Sequence, residues 1–182
     1  KIISAALEIV RRDGAGALTA RALGAELNSS ARPLFTVFDS MEQIRAGVLK
    51  FAEGVYAQYV DEGLKEQLAF KGVGKAYIRF AAAEPRLFQL LFMSGREQVP
   101  EPATVLPLIE ENYQRILQSV QTAYGLNEQL AARVYRHMWI YSHGIAVLIA
   151  TRMCAFTADG ISEMLTEAFK GIIANLKVIK ND

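Results

Sequence analysis

Cysteine is almost absent from this sequence, because Cys154 is the only one among 182 residues. No disulfide can form within one chain, and we expect a reducing, cytoplasmic setting without a signal peptide. Prolines number only five, and charged residues make up 21 % against 52 % apolar ones. This composition excludes a disordered chain and is ordinary for a folded soluble domain. The chain begins inside an amphipathic pattern, so we expect further residues before Lys1.

Long hydrophobic runs and a strong charge of either sign are also missing. The longest uncharged run covers residues 137–151 (HMWIYSHGIAVLIAT) and is too short for a membrane-spanning helix. We expect this run to form a helix that is buried in the core or against a partner, and we expect no membrane association. The net charge of +1 gives no general argument for nucleic-acid binding.

Apolar residues recur at helical spacing throughout the chain, and no segment alternates long enough to predict a strand. The capping residues Thr19, Ser40 and Asn127 mark three helix starts, and Pro85 marks a fourth. The pattern predicts an all-α fold of nine helices, three short and six mostly longer, with an eighth helix that Asn127 caps. The other eight are predicted at about 2–12, 20–27, 31–37, 40–63, 69–83, 85–92, 104–124 and 159–177.

The second and third predicted helices form a candidate helix-turn-helix around residues 28–30. Asn28 tolerates the left-handed conformation that such a turn needs. We expect Leu34, Phe35 and Phe38 to anchor the third helix against the core. The outer face would then carry Ala31, Arg32, Pro33, Thr36 and Val37. An ordinary helical hairpin explains the pattern about as well.

Three separate segments resemble one known family. Residues 18–23 (LTARAL) with 27–38 (LNSSARPLFTVF) are similar to the DNA-binding segment of the tetracycline-repressor family. Residues 77–92 are similar to the corner between the fifth and sixth helices of many members. Trp139, His143-Gly144 and Leu148 resemble a Trp…His-Gly…Leu pattern of one regulatory-domain subgroup. The resemblance covers most of the chain in the right order.

This resemblance implies a helix-turn-helix DNA-binding domain at 1–39 and an effector-binding and dimerisation domain at 40–182. It implies a homodimeric transcription regulator, commonly a repressor, that binds palindromic operator DNA. Arg32 is the best candidate to read a guanine. The residues expected at the DNA are Thr19, Arg21, Ser30, Ala31, Arg32, Pro33, Phe35 and Thr36. Phe35, Val37 and Met41 replace residues that contact phosphate in the family, which predicts weaker phosphate binding.

Aromatic residues are concentrated in the fifth to eighth predicted helices, where the resemblance implies an effector pocket. Packing in the core is the alternative for each of them. The residues expected at the effector are Tyr77, Phe80, Phe88, Phe92, Tyr113, His137 and Trp139. Ser142 could add a further polar group. Because Glu84 is the only acid between Phe70 and Phe92, we expect a neutral or weakly polar, lipophilic or aromatic effector.

Apolar residues on the last two helices exceed what one core can cover, so we expect a homodimer there. Gly144, Leu148 and Ile172 are the residues expected at the dimer interface. His137 and His143 lack further ligands at metal-binding spacing, so we predict no metal and no cofactor. No nucleophile motif occurs, and we predict that the protein is not an enzyme. A helical adaptor that has lost DNA binding and an all-α enzyme remain as alternatives.

Overall fold

The computed structural model of the chain describes residues 1–30, 32–95 and 98–179, without the side chains of Pro33 and 177–179. Within these ranges the chain forms nine α-helices and two 3₁₀-helices, and no strand occurs there. The prediction of an all-α fold is therefore confirmed. The α-helices are α1 (Ile2–Asp13), α2 (Ala20–Glu26), α3 (Met41–Leu64), α4 (Ala69–Ala83), α5 (Pro85–Phe92), α6 (Val105–Ile109), α7 (Tyr113–Tyr124), α8 (Glu128–Ala150) and α9 (Ala158–Ile179).

The structure corrects two of the predicted helices. The third is a 3₁₀-helix at Arg32–Thr36, with a second 3₁₀-helix at Ala15–Ala17. The predicted helix at 104–124 is divided into α6 and α7, with a break at residues 110–112. At that break the Glu110 side chain accepts a hydrogen bond of 2.9 Å from the Asn112 amide. A local bond of this kind competes with the helical pattern, which explains the interruption.

Side-chain caps begin three helices at the positions that the sequence predicts. The Thr19 hydroxyl accepts from the Ala22 amide at 3.1 Å, and the Ser40 hydroxyl accepts from the Gln43 amide at 3.3 Å. The Asn127 side chain accepts from the Leu130 amide at 2.9 Å. Each of these oxygens satisfies an amide that has no partner within its helix.

The long helices pack side by side around one apolar core. Helix α3 lies along α4, α4 packs against α8, and α8 packs against α9. The backbones of α3 and α4 come closest where Gly63 faces Gly72. No helix among the described residues is long and apolar enough to cross a membrane.

The N-terminal elements continue the same core. Leu18, Leu23 and Leu34 are buried in the cluster that also contains Ile44 of α3. Helix α1 packs on α2, α3 and α5. Its Arg11 guanidinium donates to both carboxylate oxygens of Glu84, at 3.0 and 2.7 Å. This ion pair joins α1 to the corner between α4 and α5.

Candidate functional site

The turn after α2 has the geometry that the Asn28 prediction requires. Asn28 has a φ of 51°, in the left-handed region. The Asn28 amide donates to Ala25 O at 3.0 Å, and the Ser29 amide donates to Gly24 O at 2.9 Å. These two bonds form a Schellman cap, which ends α2 and turns the chain toward the 3₁₀-helix.

Among the described side chains of the short 3₁₀-helix, Leu34 is the buried one, and Phe38 just after this helix also packs partly against the core. Leu34 is buried at 1 % exposure, whereas Phe35 is 48 % exposed, so the expectation that Phe35 anchors this helix is wrong. The Leu34 carbonyl accepts from the amides of Val37 and Phe38, at 3.2 and 3.0 Å. Phe35 and Val37 therefore present apolar side chains to the outside, where the sequence predicts a DNA-facing surface for Phe35.

The remaining residues predicted at the DNA are exposed wherever the structure describes their side chains. Thr19, Arg21, Ser30, Arg32 and Thr36 all lie at the surface, whereas Ala31 and the Pro33 side chain lie outside the described residues. Among the described acids, none forms an ion pair with Arg21 or Arg32. By contrast, Arg11 and Arg12 pair with carboxylates nearby. Two uncompensated cations thus lie on α2 and on the 3₁₀-helix.

An apolar cavity of about 330 Å³ lies in the second part of the chain, between α4, α8 and α9. Tyr56 of α3 and Tyr124 of α7 complete its wall. Its lining consists of Tyr56, Leu68, Phe70, Lys71, Val73, Gly74, Tyr77, Tyr124, Tyr135, Met138, Trp139, Ser142, Leu165, Thr166, Phe169 and Lys170. The volume lies at the lower end of the range for sites of small organic ligands.

Two of the residues predicted at the effector, Tyr77 and Trp139, line this cavity. Phe80 and Phe88 are fully buried in the core beside it. The other three predicted residues lie away from the cavity wall. Phe92 borders a second cleft of about 240 Å³, Tyr113 stacks on Tyr135 with ring centroids 5.6 Å apart, and His137 is exposed on α8.

The sequence reasoning missed the contribution of α9 to this cavity. Leu165, Thr166, Phe169 and Lys170 recur at positions i, i+1, i+4 and i+5, which places them on one side of a helix. The sequence shows this spacing, but its apolar residues predict a dimerisation role for the ninth helix. Phe70 and Tyr135 also line the wall, and their rings meet edge to face at 5.8 Å.

Hydrogen bonds fix two of the four tyrosines of the wall. The Tyr56 hydroxyl donates to Glu110 Oε2 at 2.6 Å. Glu110 is only 5 % exposed, and burial raises the pKa of its carboxyl although the Tyr56 and Asn112 bonds oppose this. Counting acids between Phe70 and Phe92 could not reveal this carboxylate, because it enters from the break between α6 and α7.

The second bond joins Tyr77 to His143, whose Nδ1 lies 2.9 Å from the Tyr77 hydroxyl. Burial lowers the pKa of His143, so the neutral ring predominates at neutral pH, and an unprotonated Nδ1 can accept a hydrogen bond from the Tyr77 hydroxyl. Trp139 stacks on His143 with centroids 5.1 Å apart. The single tryptophan is therefore both a wall residue and part of a rigid aromatic group.

The residues predicted at the dimer interface lie in different surroundings. Gly144 is exposed on α8, with no atom within 4 Å of the position a Cβ would take. Leu148 is half-buried, and Ile140 on the same face is 52 % exposed. Ile172 of α9 instead packs partly against the core of its own chain. Among the described residues, no group of three His, Cys, Asp or Glu could hold a metal ion.

Comparison with known proteins supports the fold and gives a family. The chain superimposes on the crystal structure of a protein from Mesorhizobium loti MAFF303099 assigned to the TetR family of transcriptional regulators. The TM-score is 0.53 at 14 % identity, over 95 % of this chain and 93 % of that one, so this likeness shows the fold alone. Among curated proteins, none is significantly similar in sequence.

The family itself is shown by a sequence model. The model described as "Tetracyclin repressor-like, C-terminal domain" matches residues 70–171, which contain the cavity wall from Phe70 to Lys170. The subgroup with the Trp…His-Gly pattern stays a prediction. Because the match spans more than half of the 182 residues, the chain belongs to the tetracyclin repressor-like family.

Proposed function

We propose that this protein is a homodimeric transcription regulator, a repressor that a small lipophilic or aromatic effector releases from palindromic operator DNA. Residues 1–39 would bind the DNA, and residues 40–182 would bind the effector and dimerise. The observation that carries this proposal is the exposed segment formed by α2, the Asn28 turn and the 3₁₀-helix. It presents Arg21 and Arg32, which have no acidic partner in the described part of the chain, and a surface that meets a polyanion requires such free cations.

The apolar cavity supports the effector half of the proposal. Its wall is mostly apolar, with seven aromatic residues among the sixteen that line it, and is distant in sequence from the DNA-binding segment. Helix α3 connects the two regions, because Ile44 near its start packs with the N-terminal core and Tyr56 reaches the cavity. We consider two conformations that differ in the position of α3, one of which binds DNA. An effector that binds the other conformation more tightly would lower DNA affinity by the difference between its two binding free energies.

The outer face of α8 supports the proposed homodimer. Ile140, Tyr141, Gly144 and Leu148 follow one another at helical spacing, and Ile140 and Tyr141 are exposed. Two copies of this face would pair symmetrically, with Gly144 allowing the backbones to approach. Such pairing would place two DNA-binding segments at a fixed spacing, which a palindromic site requires.

Binding to DNA tests the proposal directly. Fluorescence anisotropy would measure the affinity for the region upstream of the protein's own gene, and for random DNA, at several salt concentrations. We expect specific binding that weakens steeply with salt. Arg32→Ala should lower the specific affinity by about 1–3 kcal/mol and relax the preference at one base pair.

Lys65→Ala is the matched control, because this substitution removes the same charge from an exposed position at the end of α3, away from the α8 face. It should leave DNA affinity unchanged. Equal losses for Arg32→Ala on operator and on random DNA would show a phosphate contact only. If no DNA fragment is bound in a salt-dependent manner, the regulator proposal fails and the helical adaptor becomes the better interpretation.

A further inference from the structure

The charged residues in the cavity wall are all of one sign. Lys71 of α4 and Lys170 of α9 line the cavity, and none of the aspartates and glutamates that the structure describes does so. The remaining wall is apolar or carries neutral hydroxyl groups. Two cations favour an anionic ligand here, because they would repel a cationic ligand and would give a neutral ligand hydrogen bonds only.

Both lysines line the α4–α9 side of the cavity. Lys71 Nζ donates to Thr166 Oγ1 at 2.9 Å, so this group sits between the two helices. Lys170 follows Thr166 by four positions on α9, and side chains at this spacing project from the same face. Thr166 itself donates to Ser162 O at 2.7 Å and therefore acts as a fixed acceptor for Lys71.

Neither lysine is neutralised by the protein. Among the described residues, no acid forms an ion pair with Lys71 or with Lys170. Lys75, one turn further along α4, shows the usual alternative, because its Nζ lies 2.9 Å from Glu66 Oε2. The uncompensated pair is thus a local property of the cavity and not a general feature of this helix.

Free hydroxyl groups face the same ligand space. Ser142 and Tyr135 both line the cavity, and within the described part of the chain their hydroxyl groups have no hydrogen-bond partner. The other two buried tyrosine hydroxyls of the wall, on Tyr56 and Tyr77, are already bonded to Glu110 and His143. The cavity therefore offers cationic and neutral donors at a few points within an apolar enclosure.

We propose that the cavity binds a lipophilic monocarboxylate, with its carboxylate at Lys71 and Lys170 and its apolar body among the aromatic rings. The proposal deepens the proposed effector site and rests on it for regulation, although not for binding. A single anionic group matches the two ammonium groups, whereas further charges would have to be buried against an apolar wall. It differs from the sequence expectation of a neutral effector, because a monocarboxylate is ionised at neutral pH. The sequence alone could not show that two lysines from distant helices line one cavity.

Binding of matched probes to the purified protein tests this assignment. Decanoate, decanol and decylamine share one apolar chain, and naphthoate with naphthol provides an aromatic pair. Binding would be followed at neutral pH by the shift of the thermal midpoint and by Trp139 emission, since Trp139 lines the cavity. We expect at least one carboxylate to bind about tenfold more tightly than its alcohol, with a difference that shrinks at high salt.

Lysine variants identify the groups responsible. Lys71→Met and Lys170→Met should each weaken carboxylate binding about tenfold and leave alcohol binding unchanged. Lys50→Met removes the same charge from an exposed position on α3 and should change neither. Binding of decanol or naphthol shows whether the Lys71→Met variant still folds. If that variant does not fold, the Lys170→Met variant tests the carboxylate site by itself, because Lys170 is exposed.

Equal binding of carboxylate, alcohol and amine would overturn the proposal, and so would wild-type carboxylate affinity in the Lys170→Met variant. The absence of binding by every probe would overturn it as well. Failure of the proposed function looks different. In that case decanoate or naphthoate still binds through Lys71 and Lys170, but the protein neither binds operator DNA nor releases it.

Discussion

At the crossing of α3 and α4, the addition of a single methyl group should destabilise the fold strongly. A Cβ on Gly72 would collide with the Gly63 carbonyl oxygen and would lie 2.9 Å from Glu66 Cβ. A Cβ on Gly63 would lie 2.7 Å from the backbone of Gly72 and Val73. These neighbours are mostly backbone atoms, so they can yield only if the two helices separate. We therefore predict that Gly72→Ala destabilises the fold.

The expected size follows from two opposing effects. Overpacking of this kind costs about 3 kcal/mol, because the helices must move apart to restore normal contact distances. Replacing a helical glycine by alanine returns about 1 kcal/mol of helix propensity. The net loss is about 2 kcal/mol, which corresponds to a fall of roughly 4–8 °C in the melting temperature for a chain of this size.

Gly54→Ala is the matched control on α3. Gly54 is exposed, and no atom lies within 4 Å of the position its Cβ would occupy. This variant should gain about 0.5–1 kcal/mol, because only the propensity effect remains. Urea unfolding followed by circular dichroism would measure both changes. If Gly72→Ala proves as stable as Gly54→Ala, the close approach of α3 and α4 is refuted.

Three further predictions concern the buried pair, the α1 ion pair and the dimer. Burial raises the pKa of Glu110, so the contribution of this carboxyl to stability falls as the pH rises through the raised pKa. The Tyr56 hydrogen bond lowers that pKa, so removing the Tyr56 hydroxyl makes the loss of stability at higher pH larger. Tyr56→Phe should therefore lower the free energy of unfolding in urea by about 1.5–3 kcal/mol at neutral pH and by less in acid. Equal losses at the two pH values would contradict a buried, titrating Glu110 that is bonded to Tyr56. Glu84→Gln should cost about 1–2 kcal/mol by losing its bidentate bond to Arg11, whereas Glu62→Gln, in an exposed pair, should cost under about 0.5 kcal/mol. Leu148→Glu should give monomers in sedimentation at micromolar concentration, and a wild type that is already monomeric would exclude the α8 interface.

The sequence alone determined the features that depend on neighbouring residues. Thr19, Ser40 and Asn127 begin helices because each side-chain oxygen reaches an amide three positions away. Asn28 takes the left-handed conformation because its own backbone and the preceding helix set the turn. The helical class followed from periodic apolar residues. Each of these interactions joins residues that are only a few positions apart, so the local sequence is sufficient to predict it.

Only the tertiary structure decided which residues face one another across the cavity. Lys71 and Lys170 are distant in sequence and line the same cavity because α4 packs against α9. The break at Glu110 likewise places a buried carboxylate next to Tyr56, more than fifty residues earlier. Phe80 and Tyr77 are similar aromatic residues on one helix, yet the first is core and the second is cavity wall. Periodicity shows that a residue is buried, but the angle and distance between packed helices determine whether it meets protein or open space.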